Sequence, residues 1–156
     1  MADVTAAERG TVHASAVLVG AGAVLIRGPS GSGKSRLALD LIQAAQGGAL
    51  LFARLVADDR VHLQRSGGRL LVRPAEALAG LIEVYGVGVM RLQHEPSAVV
   101  GLVVDLAAAD GERLPDPASR TTEIAGIRLP RLAVASDRAA LPAVLTVLKS
   151  RPDAWI

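Results

Sequence analysis

The segment Gly28-Pro29-Ser30-Gly31-Ser32-Gly33-Lys34-Ser35 satisfies G-x-x-x-x-G-K-[ST], and it constrains this chain more than any other feature. Glycines at 28, 31 and 33 let the backbone curl until successive N–H groups point inward, which makes a seat for phosphate oxygens. The helix that such a loop opens adds roughly half a positive charge at its first turn. In this pattern Lys34 reaches the β- and γ-phosphates and Ser35 offers its hydroxyl to Mg²⁺. The flanks fit. Ala23 to Arg27 is an apolar run suited to a buried strand, and Leu37, Ala38, Leu41, Ile42 and Ala45 place one apolar stripe on a helix from Lys34 to Ala45. Three glycines, a Lys and a Ser in register between a strand and a helix set the segment apart from a chance glycine-rich turn. ATP and Mg²⁺ are therefore the expected cofactors.

The rest of the chain must build a sheet around that loop. Its 156 residues suit one domain, and a hydrophobic content of 51% suits a packed core. We expect a loose N-terminus over 1–11 and a single catalytic domain over 12–156. Val12 to Val19 reads as a strand, turned at Gly20-Ala21-Gly22 into the next. Gly47-Gly48 stops the helix. Leu50 to Ala57 is a further apolar run ending at Asp58-Asp59. Val61 to Arg65 and Arg69 to Arg73 alternate apolar and polar about Ser66-Gly67-Gly68, a hairpin pattern. Pro74 to Gly80 is a connector or a short turn of helix, Ile82 to Met90 carries Gly86 and Gly88, and Val99 to Leu106 is a β-branched strand. Ala107 to Thr121 is a long Pro-rich loop. Glu123 to Ala135 reads as another hairpin, and Ala139 to Lys149 as a closing helix. Strands that cluster in hairpins after one strand–loop–helix unit point to an α/β fold with a mixed sheet and few helices, and away from a βαβ-alternating sheet.

Composition narrows the function classes. Phe52, Tyr85 and Trp155 are the only aromatics and the net charge is +2, a poor basis for stacking on or neutralising nucleic acid. The absence of cysteine removes disulfides, thiolate nucleophiles and Cys-based zinc sites. The longest largely apolar run, Ala14 to Ile26, is shorter than the roughly 20 residues of a membrane span, and no secretory leader pattern opens the chain. The expectation is a cytoplasmic protein with no membrane or nucleic-acid partner.

A phosphate loop needs a second carboxylate on the metal side, after an apolar strand. Two candidates fit. Asp105 follows Val99-Val100-Gly101-Leu102-Val103-Val104 and matches the ordinary pattern, though it also reads as a strand-ending cap. Asp58-Asp59 lies one helix and one strand beyond Ser35. Its two carboxylates can divide the work, one toward the metal and one toward the nucleophile, though the pair also reads as a solvated turn. His13 has a similar ambiguity, since a surface histidine beside a strand is common.

Taken in order, these blocks resemble the HPr kinase/phosphorylase family. The resemblance rests on His13-Ala14, the strand pair Val17-Leu18-Val19 and Ala23-Val24-Leu25-Ile26, the loop Gly28 to Ser35, Val56-Ala57-Asp58-Asp59-Arg60-Val61, and Glu83-Val84-Tyr85-Gly86-Val87-Gly88-Val89. It runs from about His13 to the end of the chain. The family phosphorylates a serine of HPr, the small phosphocarrier of the sugar phosphotransferase system. The resemblance implies that Asp59 takes the serine proton with Asp58 in support, and that Glu83 joins Ser35 around Mg²⁺. It also implies that His13 and Lys34 are active-site residues and that Arg113, in the Arg113-Leu114 pair, helps neutralise the transferring phosphate. A fold close to phosphoenolpyruvate carboxykinase, a homo-oligomer (a hexamer in the family) and an HPr-like partner are implied as well.

The chain departs from the family's pattern in several respects, among them a spacing from Ser35 to Asp58 that is several residues longer, through Ala44-Ala45-Gln46-Gly47-Gly48. It resembles a short form without the usual N-terminal domain. Tyr85 stands where the family has Arg. The late I-P-V-x-P-G-R-N block, tied to phosphoserine phosphorolysis, survives in Leu132-Ala133-Val134-Ala135-Ser136-Asp137-Arg138-Ala139 only at Val134 and Arg138, so weak or absent phosphorylase activity is expected. Two other readings stay open: a small-molecule kinase, against which the presence of only Arg113 and Arg120 in the 106–121 loop weighs, and a non-catalytic nucleotide-binding regulator, against which Asp58, Asp59 and Glu83 weigh.

Overall fold

The computed structural model describes residues 10–150. Most of the expected loose N-terminus, and the last residues of the expected 12–156 domain, lie outside the described residues. Within them, β1 (Val12–Val19) and β2 (Gly22–Arg27) form an antiparallel hairpin whose turn is made by Gly20 at φ 62°. α1 (Lys34–Gln46) follows the glycine loop and is closed by Gly47 and by Gly48 at φ 88°. β3 (Ala53–Ala57) returns alongside β1, opposite β2. β4 (Arg60–Ser66) and β5 (Arg69–Pro74) make the second hairpin about Gly67-Gly68. β6 (Leu81–Val84) and β7 (Gly88–Arg91) form a separate two-stranded ribbon. β8 (Ala98–Asp105), β9 (Thr121–Ile124), β10 (Ile127–Ala133) and α2 (Ala140–Lys149) complete the order.

The larger sheet has eight strands and is mixed: β8 runs parallel to β2 and β10 and antiparallel to β5. Five strands close a circuit, β2–β1–β4–β5–β8 and back to β2. The seams β1–β4 and β5–β8 hold by short ladders, Val12↔Val61 with His13↔Arg60 and Leu71↔Val99 with Val72↔Ala98. Closure buries both faces of β2 and β8. Ala23, Leu25, Val100 and Val103 fill the interior with Val61, Leu70 and Val72. Val24, Ile26, Leu102 and Val104 face the other way, against Leu37, Leu41 and Ile42 of α1 and Val144 of α2. That two-sided burial is why both strands read as unbroken apolar runs. The mixed sheet with few helices agrees with the reading of the sequence. Among the described residues no helix is long and apolar enough to cross a membrane.

Two segments differ from expectation. Leu50 to Ala57 is a strand only from Ala53, because Ala49 and Leu50 donate their N–H groups to Ala44 O and wrap the end of α1. Leu50 is buried there and Leu51 is exposed. The long 107–121 loop contains a short 3₁₀ turn, Pro117–Arg120, capped by Asp116, whose carboxylate accepts from Ala118 N at 2.9 Å.

Leu41 is fully buried between α1 and the sheet. Leu41→Ala is expected to cost about 2–5 kcal/mol in urea unfolding; a loss under about 1 kcal/mol would contradict this packing.

Candidate functional site

Three strand ends meet at one edge because β1 is antiparallel to both β2 and β3. The register Ala14↔Arg27 sets the start of β1 beside the entry to the glycine loop, and Ala16↔Ala57 sets it beside the end of β3. His13, the loop and Asp58-Asp59 therefore converge, although they are far apart in sequence. Ala14 N donates to Asp59 O at 3.2 Å and fastens the corner.

The loop itself depends on glycine. A Cβ at Gly28 would lie 2.5 Å from Ser32 Oγ and 3.1 Å from Leu106, and Gly31 and Gly33 have φ of 80° and 102°. Gly33 is the N-cap of α1, so no side chain caps the helix and no acid sits in its first turn. The N–H groups of that turn remain for an anion. Lys34 is largely buried, its Nζ donating to Gly28 O at 2.8 Å and to Pro29 O at 3.1 Å. An ammonium has three N–H donors, so one is left over.

Asp58 is 4% exposed, and three groups satisfy its carboxylate. Ser15 Oγ donates at 2.6 Å, Ser35 Oγ at 2.7 and 2.8 Å to the two oxygens, and Glu83 N at 3.2 Å. Ser15 also accepts from Asp59 N at 3.3 Å. Asp59 turns the other way. Its side chain is 62% exposed, its φ is 72°, and His13 Nδ1 lies 3.7 Å from its carboxylate. A left-handed backbone is uncommon for a residue with a Cβ, and here it aims two neighbouring carboxylates in opposite directions. His13, Lys34, Ser35, Asp59, Glu83 and Tyr85 line one cavity of about 530 Å³.

Asp105 is engaged elsewhere. Arg27 reaches both its oxygens, at 2.7 and 2.8 Å, and Arg131 Nε donates at 2.5 Å. Burial alone would raise this carboxyl, but the hydrogen bonds from Arg27 and Arg131 outweigh it and hold it below the usual carboxylate range. Arg131 also donates to Asp110 at 2.7 and 3.0 Å and to Ser119 O at 3.0 Å, so it ties the 107–121 loop to the sheet. Of the two carboxylate candidates, the pair 58–59 faces the glycine loop and Asp105 serves a clamp. Arg113 does not line the cavity of the glycine loop. It lines a separate cavity with Arg138, Pro142 and Val147.

The oxygen set of Ser35, Asp58 and Glu83 suits Mg²⁺. That ion binds through one or two carboxylates, keeps several waters and takes its remaining ligands from phosphate. Among the described residues no group of three or more His, Cys, Asp or Glu forms a dedicated metal cage. Sequence reasoning missed Ser15 and the Arg131 clamp. Ser15 was legible only as a lone hydroxyl between Ala14 and Ala16 in an apolar strand. Arg131 carried no local signal.

Residues 4–145 match the family described as HPr serine kinase C-terminal domain. An HPr kinase/phosphorylase of Streptococcus thermophilus is 33% identical over 139 residues, covering 82% of this chain and 43% of its own length. One from Lactococcus lactis is 44% identical over 85 residues, covering 54% of this chain and 25% of its own length. The chain thus spans less than half the length of these curated relatives. A solved structure, the Hpr(Ser) kinase/phosphatase from Coxiella burnetii, aligns with a TM-score of 0.71 at 25% identity, over 90% of this chain and 88% of that one.

Asp105 supplies a pH-dependent test. Its folded pKa is depressed, so its contribution to stability is present above the unfolded carboxylate pKa of about 4 and is lost as pH falls through the folded value. Arg131→Met is expected to destabilise by about 3 kcal/mol at pH 7, because Asp105 keeps only one partner. Urea unfolding should show that gap narrowing below about pH 4; a gap that does not change with pH would contradict the clamp.

Proposed function

The chain belongs to the HPr serine kinase C-terminal domain family, and from that premise we propose that it transfers the γ-phosphoryl group of ATP, with Mg²⁺, to a serine hydroxyl of an HPr-like phosphocarrier protein. The observation that carries this reading is the back-to-back pair at 58–59: one carboxylate buried against Ser35, the other exposed in the same cavity as Lys34 and the glycine loop.

Phosphoryl transfer asks for placement and charge compensation more than for covalent chemistry. In this reading Gly28, Pro29, Ser30, Gly31, Ser32 and Gly33 seat the phosphates with their backbone, and Lys34 adds its remaining N–H and its charge. Ser35, Asp58 and Glu83 would hold Mg²⁺, which would supply positive charge to offset that of the phosphates. Asp59 accepts the proton of the attacking serine, and its exposure leaves it open to a protein substrate. His13, 3.7 Å from Asp59, orients that carboxylate. Arg113 serves the transferring phosphate in this reading, carried there from its own cavity by the 107–121 loop.

A protein acceptor is favoured over a small molecule by the β6–β7 ribbon. Beside Glu83 it presents exposed Tyr85, which lines the cavity, and the same ribbon leaves Val87 and Val89 exposed. We further propose a cytoplasmic homo-oligomer, with the hexamer as the family expectation and a fold akin to phosphoenolpyruvate carboxykinase. Phosphorolysis is proposed to be weak or absent, since the 132–139 segment keeps so little of the family block.

Purified protein with Mg²⁺ and ATP should label an HPr-like carrier. Asp59→Asn is expected to lower kcat by about a hundredfold or more with little change in the KM for ATP, and Lys34→Ala to remove transfer. If HPr and its nitrogen-branch relative both stay unlabelled, the substrate is wrongly assigned. In the reverse direction, excess inorganic phosphate added to the phosphorylated carrier should release little pyrophosphate; rapid release would overturn the proposed loss of phosphorolysis.

A further inference from the structure

The cavity of the glycine loop does not stand alone. A second hollow of about 280 Å³ shares Gly33, Arg36 and Asp40 with it and is walled by Ser32, Leu106 and Ser136. A third, of about 790 Å³, shares Val134, Ala135, Arg138 and Ala139 with the second and lies between the 111–115 segment and α2. Adjoining in series through these shared residues, the three outline a trough. It starts at His13 and Asp59, passes the start of α1, and ends between Arg113 and Pro142. Its two ends differ in chemistry. The first holds exposed Asp59, Glu83 and His13. The second combines apolar Leu106, Val134 and Leu141 with the polar Ser136, Asp137 and Arg138.

We propose that the second and third hollows hold the nucleoside end of the phosphoryl donor, so that the donor lies along the trough with its transferable phosphate toward Asp59. This rests on the function proposed above and adds the direction of the donor and the residues that select it. The reasoning is steric and electrostatic. The acceptor hydroxyl must approach the terminal phosphate in line with its leaving oxygen. Asp59 marks the side of that approach, so the nucleoside has to leave on the other. The way out there is the trough past Gly33 and Arg36. Its size suits a small-molecule site, apolar walls with a few polar groups at the rim. Ser32 lies on the wall of the second hollow and, among the described residues, its buried Oγ has no hydrogen-bond partner. An unpaired buried hydroxyl is costly, and a donor bound alongside can relieve it. The close seating of Gly111, where a Cβ would meet Ala135 N at 2.5 Å, fixes the width of the far end.

Two ligands separate the nucleoside from the phosphates: ATP and inorganic tripolyphosphate, each with Mg²⁺, measured by calorimetry. Ala139 is exposed and lines both far hollows, so Ala139→Trp fills the trough without entering the glycine loop. Wild-type protein should bind ATP more tightly than tripolyphosphate. Ala139→Trp should weaken ATP by about tenfold or more and leave tripolyphosphate within about twofold. Arg138→Ala should weaken ATP in the same sense and more mildly. Ala139→Trp binding ATP as the wild type does, or losing both ligands equally, would overturn the proposal. So would wild-type protein binding the two ligands equally, a result that leaves the phosphate seat intact. Wild-type protein that binds neither would overturn the function proposed above along with this inference.

Discussion

Burying a carboxylate is expensive unless its oxygens are fully hydrogen-bonded, and the arrangement around Asp58 is the constraint on which the rest of this site depends. Its donors come from three places: Ser15 on β1, Ser35 at the head of α1 and the backbone of Glu83 on β6. Three segments remote in sequence are thereby held to one anion carried by a fourth. The small closed circuit of strands makes this possible, because antiparallel pairing of β1 with both β2 and β3 brings the glycine loop and the end of β3 to the same edge.

The same restraint explains how two adjacent aspartates come to differ. With Asp58 turned inward, a left-handed backbone at Asp59 sends the next side chain out. The strain is modest and is set against the hydrogen bonds around Asp58 and the Arg60 N to Asp58 O turn at 2.9 Å. Asp105, at the end of the neighbouring parallel strand, meets two guanidiniums and becomes part of the frame that carries the 107–121 loop. In this chain the carboxylate that looks most ordinary in sequence belongs to the frame, and the pair that could pass for a solvated turn faces the loop.

Much of this was legible in residue order. The glycine loop, the amphipathic stripe of α1 and the hairpin about Gly67-Gly68 are local patterns, and local patterns survive folding. The apolar runs of β2 and β8 announced strands buried on both faces, but nothing in them revealed that the sheet closes through the two short seams at Val12 and Val99. Long-range pairing hid the rest. Ser15 matters only because β1 lies beside Asp58, and Arg131 only because β10 lies beside β8. Arg113 could be placed on a loop but not in a cavity, since the loop's course is set by Asp110 and Gly111 against residues more than twenty positions on.

The central claim is that Ser35, Asp58 and Glu83 form the cation side of a phosphate site. The most direct measurement is the anomalous signal of Mn²⁺ in crystals grown with a non-hydrolysable ATP analogue. The account predicts a single strong peak between the Ser35 hydroxyl and the acids at 58 and 83, with the direct Ser35–Asp58 hydrogen bond opened to admit the ion. A peak at Asp105, or an ordered analogue with the Ser35–Asp58 bond still closed and no metal beside it, would contradict it.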